Sequence, residues 1–369
     1  MKQCTLNLDT DSPSIEEERM RESEENEDST SSVVPPLDIV AFNEQRSCAD
    51  IYRMYVKNQI DINPDFQRGE VWSNKAQTLF IDSLIKQLPI PSMCISLDVK
   101  TQKRLVIDGL QRITSIIKFQ NIDKEWKLSK ISDVDERLSG KSNKEIKTQN
   151  EKLFEILENV TIPITVLRCN YDDEEHMKYL FQIFHRLNSG GNKLYNQEIR
   201  NCIYQGRFNT LLKELARTDV WLVFAGTTLT KVEKARFNNE ERILRFFSFY
   251  ENYKKYQGKL ALFLNEYMNK NKQLTEERAV LFKDLFLKTL SVANRIADKI
   301  TSKNVADAIL VGIAFNVDTL VGISSEVLNR KYKQIMSQRE FSEEALSEGL
   351  GANDKVQARI NKAIEIFGS

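Results

Sequence analysis

From Asp172 to the C-terminus, apolar residues recur every third or fourth position through nearly every segment, and this constrains the fold more than any other feature of the chain. In DDEEHMKYLFQIFHRLN the stripe is Met177, Leu180, Phe181, Phe184 and Leu187. NQEIRNCIYQG, EERILRFFSFYENYKKY, GKLALFLNEYMNKN, EERAVLFKDLFLKTLSVANRIADKI and KVQARINKAIEIF follow in the same style. Helices of this kind bury an apolar face against one another. Turn formers are also scarce, with 13 Gly and 7 Pro in 369 residues, whereas typical usage is about 7% and 5%. A fold of many short strands is thereby excluded. The β-like runs SMCISLDV, KRLVID and NVTIPITVLRC all precede Asp172. The predicted class is α+β, a small sheet with helices followed by a helical C-terminal portion. The expected divisions are a leader over 1–32, an α+β portion over 33–204 and a helical portion over 205–369.

Within the α+β portion, Ser47 is expected to cap a short helix carrying Ile51, Met54 and Tyr55, with Asp50 as its box partner. The segment before it, VVPPLD, reads as an extended lead-in, because each proline disfavours helix at the preceding residue. AQTLFIDSLIKQLPIP places Leu79, Phe80, Leu84 and Leu88 at helical spacing, and LQRITSIIKFQ offers Ile113, Ile116, Ile117 and Phe119 for burial. Residues 123–151 are strongly polar and read as an exposed insertion.

The formal charge of zero conceals an asymmetry. Residues 1–32 hold ten acids and three bases, leaving 43 acids and 50 bases elsewhere, a body of about seven net positive charges. Such a leader reads as a solvated, disordered segment that aids solubility; it can also shield a nucleic-acid-binding face. The chain has no run of roughly 18 apolar residues and no basic-then-apolar N-terminal pattern, so neither membrane insertion nor secretion is expected. Five widely spaced cysteines without a CxxC point to reduced thiols and a cytoplasmic setting.

The strongest candidate for chemistry is VIDGLQRITS, Val106 to Ser115. An apolar strand ends at Asp108, and a helix follows Gly109 at once. Gly109 permits a sharp turn and close backbone approach, and the first helical turn offers N–H groups to a phosphate. Arg112 adds a planar donor fork suited to phosphate oxygens. Asp108 can hold Mg²⁺ or a water, and Thr114 or Ser115 can donate a further hydrogen bond. The structural alternative is a plain strand–helix turn, with Asp108 capping the helix and Arg112 paired to a neighbour. FQRGEVWS presents Arg68 in a loop, and Arg68 alone is equally a surface residue. FHRLNSGGNKLYNQEIRN places Asn188, Ser189 and the Gly190-Gly191 backbone between two helices, where they can meet a nucleotide or simply terminate the first helix.

Other chemistries are poorly served. His176 and His185 lie nine residues apart on one helix and face opposite sides, so they cannot form one metal site locally. The several His, Asn and Asp groups that an HNH or zinc nuclease needs are missing, and so is GxxxxGK[ST]. RFFSFYENYKKY reads as the core face of a helix rather than a stacking platform.

NPDFQRGEVW, SLIKQLPIPSM, IDGLQRITS, FHRLNSGGNKLYNQEIRN, ARFNNEERILRFF and FLNEYM occur in an order that resembles the N-terminal domain family of GmrSD-type, modification-dependent restriction endonucleases. The resemblance spans residues 45–270. It implies a ParB/sulfiredoxin-like α+β fold with a helical extension, and an NTP-binding and hydrolysing sensor that gates DNA cleavage in phage defence. The family signature DGQQR stands here as Asp108-Gly109-Leu110-Gln111-Arg112, with Leu110 in place of the first Gln. By this resemblance Arg68, Asp108, Gly109, Gln111, Arg112 and Thr114 form the nucleotide site, with Arg186, Asn188 and Glu198 as further members. NTP and Mg²⁺ are the implied cofactors, with Asp108 as the metal ligand. The implied partner is a nuclease subunit encoded separately, since the nuclease half is not found in this chain, and DNA is a further possible partner. The rival expectation is a non-enzymatic module that binds DNA or a protein and keeps only a vestigial pocket; a nuclease in its own right is a third.

Overall fold

The computed structural model describes residues 35–62, 72–187, 194–234, 237–298, 300, 302–346 and 349–369. They fall into two compact units, 34–204 and 205–369. The leader over 1–32 lies outside the described residues.

The first unit holds a five-stranded mixed sheet, which makes the fold α+β as the pattern of runs predicts. Its elements are β1 (Val40–Ser47), α1 (Cys48–Val56), β2 (Ile60–Asp61), α2 (Asn74–Ile85), β3 (Met93–Asp98), β4 (Arg104–Asp108), α3 (Leu110–Gln120), α4 (Asn143–Gln149), α5 (Glu151–Asn159), β5 (Thr161–Cys169), α6 (Glu174–Leu187) and α7 (Asn196–Ile203). The strand order is β1-β5-β3-β4-β2. β1 pairs with β5 and β3 with β4 antiparallel, whereas β5–β3 and β2–β4 are parallel. β3 is buried along its whole length, and Ile95, Ile113, Ile116, Ile162, Ile164 and Val166 form the centre of the core.

Local signals explain much of this. Ser47 caps α1, its hydroxyl accepting from the Asp50 N–H at 3.1 Å. The apolar set Ile113, Ile116, Ile117 and Phe119 of α3 is buried. The structure differs from the sequence reading in four places. β1 is a full eight-residue strand, although its sequence VAFNEQRS carries no apolar stripe; it is mostly exposed and held at the sheet edge by its ladder to β5. On α2 the inward face carries Phe80, Ile81, Leu84 and Ile85, while Leu79 is exposed and Leu88 lies exposed beyond the end of the helix. Residues 123–151 are no exposed insertion, because Leu128, Val134, Leu138 and Ile146 are fully in the core. Asn143 organises that segment: its amide donates to the carbonyls of Lys118, Phe119, Asn121 and Lys124, and its oxygen accepts from the Trp126 N–H. On α6 the stripe is buried through Phe184, but Leu187 is exposed.

The second unit is helical: α8 (Arg207–Leu215), α9 (Asp219–Ala225), α10 (Leu229–Lys234), α11 (Asn238–Asn252), α12 (Leu260–Asn271), α13 (Glu276–Ala293), α14 (Lys303–Phe315), α15 (Val317–Leu320), α16 (Ser325–Met336) and α17 (Asn353–Gly368). Phe246, Phe247 and Phe249 of α11 are buried, so this aromatic run is indeed a core face. Phe247 stacks on Phe282 of α13 with centroids 4.7 Å apart. No helix among the described residues is long and apolar enough to cross a membrane.

Candidate functional site

The turn between β4 and α3 is built by backbone geometry. β4 ends with Asp108 paired to Cys94 of β3, and the register shifts between Cys94 and Ile95. Gly109 takes φ +92° as the residue preceding α3 and makes no side-chain cap. A Cβ there would lie 2.6 Å from Met93 Cγ and 2.9 Å from Met93 Sδ, so both the left-handed conformation and the close packing require glycine. The Gly109 carbonyl accepts the first helical bond, from the Ile113 N–H at 2.9 Å. The first-turn N–H groups of an eleven-residue helix therefore open at this end without a side-chain cap.

Asp108 and Arg112 meet here. Arg112 Nη2 donates to Asp108 Oδ2 at 2.8 Å, and its Nη1 donates to the Pro91 carbonyl. The Arg112 side chain is 13% exposed and that of Asp108 42%, so the carboxylate is the solvent-facing member of the pair. Of the structural alternative, the Arg112 pairing is present, while Asp108 does not cap the helix. Burial pushes the neighbouring Cys94 thiol up to about 12, with the Asp108 charge adding to the effect. Gln111 accepts from the Trp72 N–H at 3.2 Å, which ties the first turn of α3 to the chain just before α2. Leu110 packs against the core, which accounts for an apolar residue inside this motif. Thr114 and Ser115 are buried, and the Ser115 hydroxyl donates to the Gln111 carbonyl at 2.7 Å.

The remaining sequence-predicted residues sit elsewhere. Arg68 and Asn188 lie outside the described residues. Arg186 is exposed near the end of α6. Glu198 is buried in the first turn of α7 and accepts from the Tyr195 N–H at 2.7 Å. Arg200, on the same helix, was not singled out by sequence; it is 1% exposed, donates to Gln197 Oε1 at 3.2 Å and sits over the Phe181 ring. A lone arginine in the last turn of a short, mostly polar helix carries no burial signal, so nothing local could have found it. His176 is buried, its Nδ1 accepting from the Asn170 N–H and its Nε2 lying 3.0 Å from Asp38 Oδ1.

The donor chemistry at the turn fits Mg²⁺. That ion is commonly held by one or two carboxylates plus substrate phosphates and waters, and Asp108 supplies one exposed carboxylate beside an anion-accepting helix end. Among the described residues no group of three or more His, Cys, Asp or Glu side chains is arranged to hold a metal by protein ligands alone.

Strand, left-handed glycine and uncapped helix thus define a turn able to receive an anion, with an acid and an arginine beside it. Residues 49–205 match the family described as GmrSD restriction endonuclease, N-terminal domain, and this part of the chain is a domain of that family. No curated protein and no solved structure matches the chain.

Proposed function

We propose that the chain is a cytoplasmic NTP-binding and hydrolysing regulator of a restriction or antiviral system, acting with a nuclease carried on another chain. The membership of residues 49–205 in a restriction-endonuclease domain family supports the setting. The observation that carries the nucleotide reading is the β4–α3 turn, where Gly109 leaves the helix N-terminus open next to the Asp108–Arg112 pair. In this reading Arg112 and Arg68 hold phosphates, and Asp108 holds Mg²⁺ or polarises the attacking water. Gln111 orients the base, sugar or water. Thr114, Ser115, Arg186, Asn188 and Glu198 complete the surroundings, within a fold of ParB/sulfiredoxin type. Bound Mg²⁺ would supply charge neutralisation between Asp108 and the phosphates.

The 2.8 Å Asp108–Arg112 contact gives the reading a specific consequence. A triphosphate must draw Arg112 away from Asp108, which frees the carboxylate for the metal. Arg112→Ala should weaken triphosphate binding at least tenfold, since a charge-assisted hydrogen bond is worth about 1.5–3 kcal/mol. Asp108→Ala releases Arg112, so binding should survive while Mg²⁺-dependent phosphate release collapses. Leu110→Gln should hold activity steady or raise it. Calorimetric titration of the common NTPs with Mg²⁺, alongside phosphate release, tests all three. The same internal pairing favours the second reading, a DNA- or protein-binding module whose pocket is structural. If the chain binds no NTP at millimolar concentration, that reading replaces the first.

A further inference from the structure

The opposite end of β4 carries a different chemistry. Arg104 begins the strand whose last residue is Asp108, about 13 Å away at the usual rise of a strand. There Arg46, Arg53, Lys57, Lys103 and Arg104 line a cavity of about 440 Å³ without a single carboxylate in its wall. Two of these cations are paired at its margin, Arg46 with Glu44 and Arg53 with Asp50. Lys57, Lys103 and Arg104 form no salt bridge among the described residues; Arg104 Nη1 donates to the Gln102 carbonyl at 3.3 Å, and Glu44 is near enough to attract its charge. Arg104 is also partly buried, and its Nε is enclosed without a hydrogen-bond partner. Burial lowers the Arg104 pKa and repulsion from Arg46 lowers it further, with the Glu44 carboxylate offsetting part of the effect. Like charges gathered against their own repulsion, with an unsatisfied donor among them, describe a surface waiting for an anion.

Both rims are fixed by backbone bonds. On one side, α1 ends in the left-handed Asn58 (φ +53°), with the Gln59 N–H returning to the Met54 carbonyl at 2.8 Å. On the other, the β3–β4 turn contains the left-handed Gln102 (φ +60°). The Asp98 carboxylate anchors that turn, accepting from the Thr101 N–H at 3.1 Å and the Tyr171 N–H at 3.2 Å. The Arg104 N–H donates to the Gln59 carbonyl at 2.9 Å and joins the rims. Non-glycine residues in this conformation are uncommon, and two of them border the same cleft.

We infer that this cleft holds the phosphodiester backbone of a nucleic acid. Sites for a free phosphate or nucleotide commonly use backbone N–H nests and helix N-termini, whereas this cleft faces the C-terminal end of α1 and offers side chains. Lys and Arg, with Asn58, Gln102 and Thr101 between them, are the groups that contact phosphates along a strand. With no aromatic ring in the wall a base has nothing to stack on, so binding should be independent of sequence. This inference stands apart from the nucleotide reading, because the two sites share no residue.

The test is fluorescence anisotropy of the full chain with a short labelled DNA duplex and a single strand of mixed sequence, across a salt series. Lys57→Ala/Lys103→Ala removes two exposed side chains and should leave the fold intact; adding Arg104→Ala removes the third. The double variant should bind several-fold more weakly, and its log–log salt slope should be shallower by about two, one for each lost phosphate contact. The triple variant should lose at least about tenfold in affinity. Lys152→Ala, an exposed cation on α5, should match the parent. Calorimetry with Mg-ATP should give the same result for the double variant as for the parent, so that failure of nucleotide binding in both would count against the turn site only. The inference is overturned if the parent chain binds no DNA at low salt, if the double variant keeps the parental affinity and slope, or if the variants lose inorganic phosphate or ATP while retaining DNA.

Discussion

Gly109→Ala tests the candidate turn most directly, because its two costs are separable. An L-residue at φ +92° incurs about 1–2 kcal/mol of backbone strain. The new methyl would also sit 2.6 Å from Met93 Cγ and 3.0 Å from its Cβ, and Met93 is 1% exposed in the fully buried β3. Forcing an extra methyl into such a contact costs about 1–3 kcal/mol, so the total is about 2–5 kcal/mol. Met93→Ala alone should cost about 2–5 kcal/mol through the cavity it leaves. In the double variant the Cγ and Sδ contacts vanish, so the backbone part of the Gly109 cost should remain, with only the milder 3.0 Å contact to the Cβ at position 93 beside it. The double-mutant cycle should then show a favourable coupling of about 1–3 kcal/mol. Urea unfolding in a Trp221→Phe background isolates the right unit, since the other two of the three tryptophans, Trp72 and Trp126, pack against the core of the α+β unit. Additivity to within about 0.5 kcal/mol would refute the close approach of Gly109 to Met93.

The other expectations concern charge. In the helical unit, Arg245 donates twice to Asp307 Oδ2, at 3.0 and 2.6 Å, in a buried pair. Asp307→Ala should cost about 3–5 kcal/mol in thermal or urea unfolding, and Arg245→Met/Asp307→Leu should recover most of it. Burial pushes the Cys48, Cys94 and Cys169 thiols from the ordinary 9.0 up to about 12. Between these values the unfolded state releases protons that the folded state keeps, so the stability is intact below pH 9 and lost towards pH 12. Each thiol should contribute a slope of about −1.4 kcal/mol per pH unit, and Cys48→Ala should flatten the alkaline limb of a urea-midpoint profile. The purified chain should leave plain and modified DNA uncut, since the buried His176 is engaged at both ring nitrogens; reproducible cutting abolished by a substitution in this chain would overturn that. Removing residues 1–32 should leave the melting temperature nearly unchanged and strengthen DNA binding at low salt, a gain that fades as salt rises.

What was legible in the sequence follows from how burial is encoded. Helices with a continuous apolar stripe, such as α1 behind its Ser47 cap and α3 behind its Asp-Gly turn, could be read residue by residue, because periodicity and turn chemistry are local. β1 was not legible, since an edge strand with both faces largely in water needs no apolar alternation; only its ladder to β5 defines it. The segment over 123–151 misleads for a related reason. Its four core residues are far apart, and a single side chain, Asn143, gathers carbonyls from Lys118 to Lys124 that no pattern could associate beforehand. The exposure of Leu79 shows the limit of spacing, because a neighbouring set, Ile81 and Ile85, fits the same period, and Leu88 falls past the point where the helix stops.

At the candidate site the division is sharper. Asp108, Gly109 and Arg112 lie within five residues, so a strand ending in Asp-Gly before a helix exposes their proximity directly. Their engagement is set by tertiary neighbours: Pro91 receives one arm of Arg112, Met93 excludes any side chain at position 109, and Trp72 engages Gln111. The basic cleft has no linear signature at all. Arg46, Arg53 with Lys57, and Lys103 with Arg104 come from a strand, a helix end and a hairpin, each unremarkable alone. They converge because β2 pairs with β4, which lays the turn after α1 beside the β3–β4 turn. The strand that delivers Asp108 to one end of the sheet therefore delivers Arg104 to the other. A shift of β4 against β3 would be felt at both ends, and the thiol of Cys94, opposite Asp108, is placed to report it. If DNA in the cleft and NTP at the turn communicate through this strand, alkylation of Cys94 should slow or accelerate when both ligands are present, relative to either alone. Equal rates under all conditions would leave two independent sites on one strand.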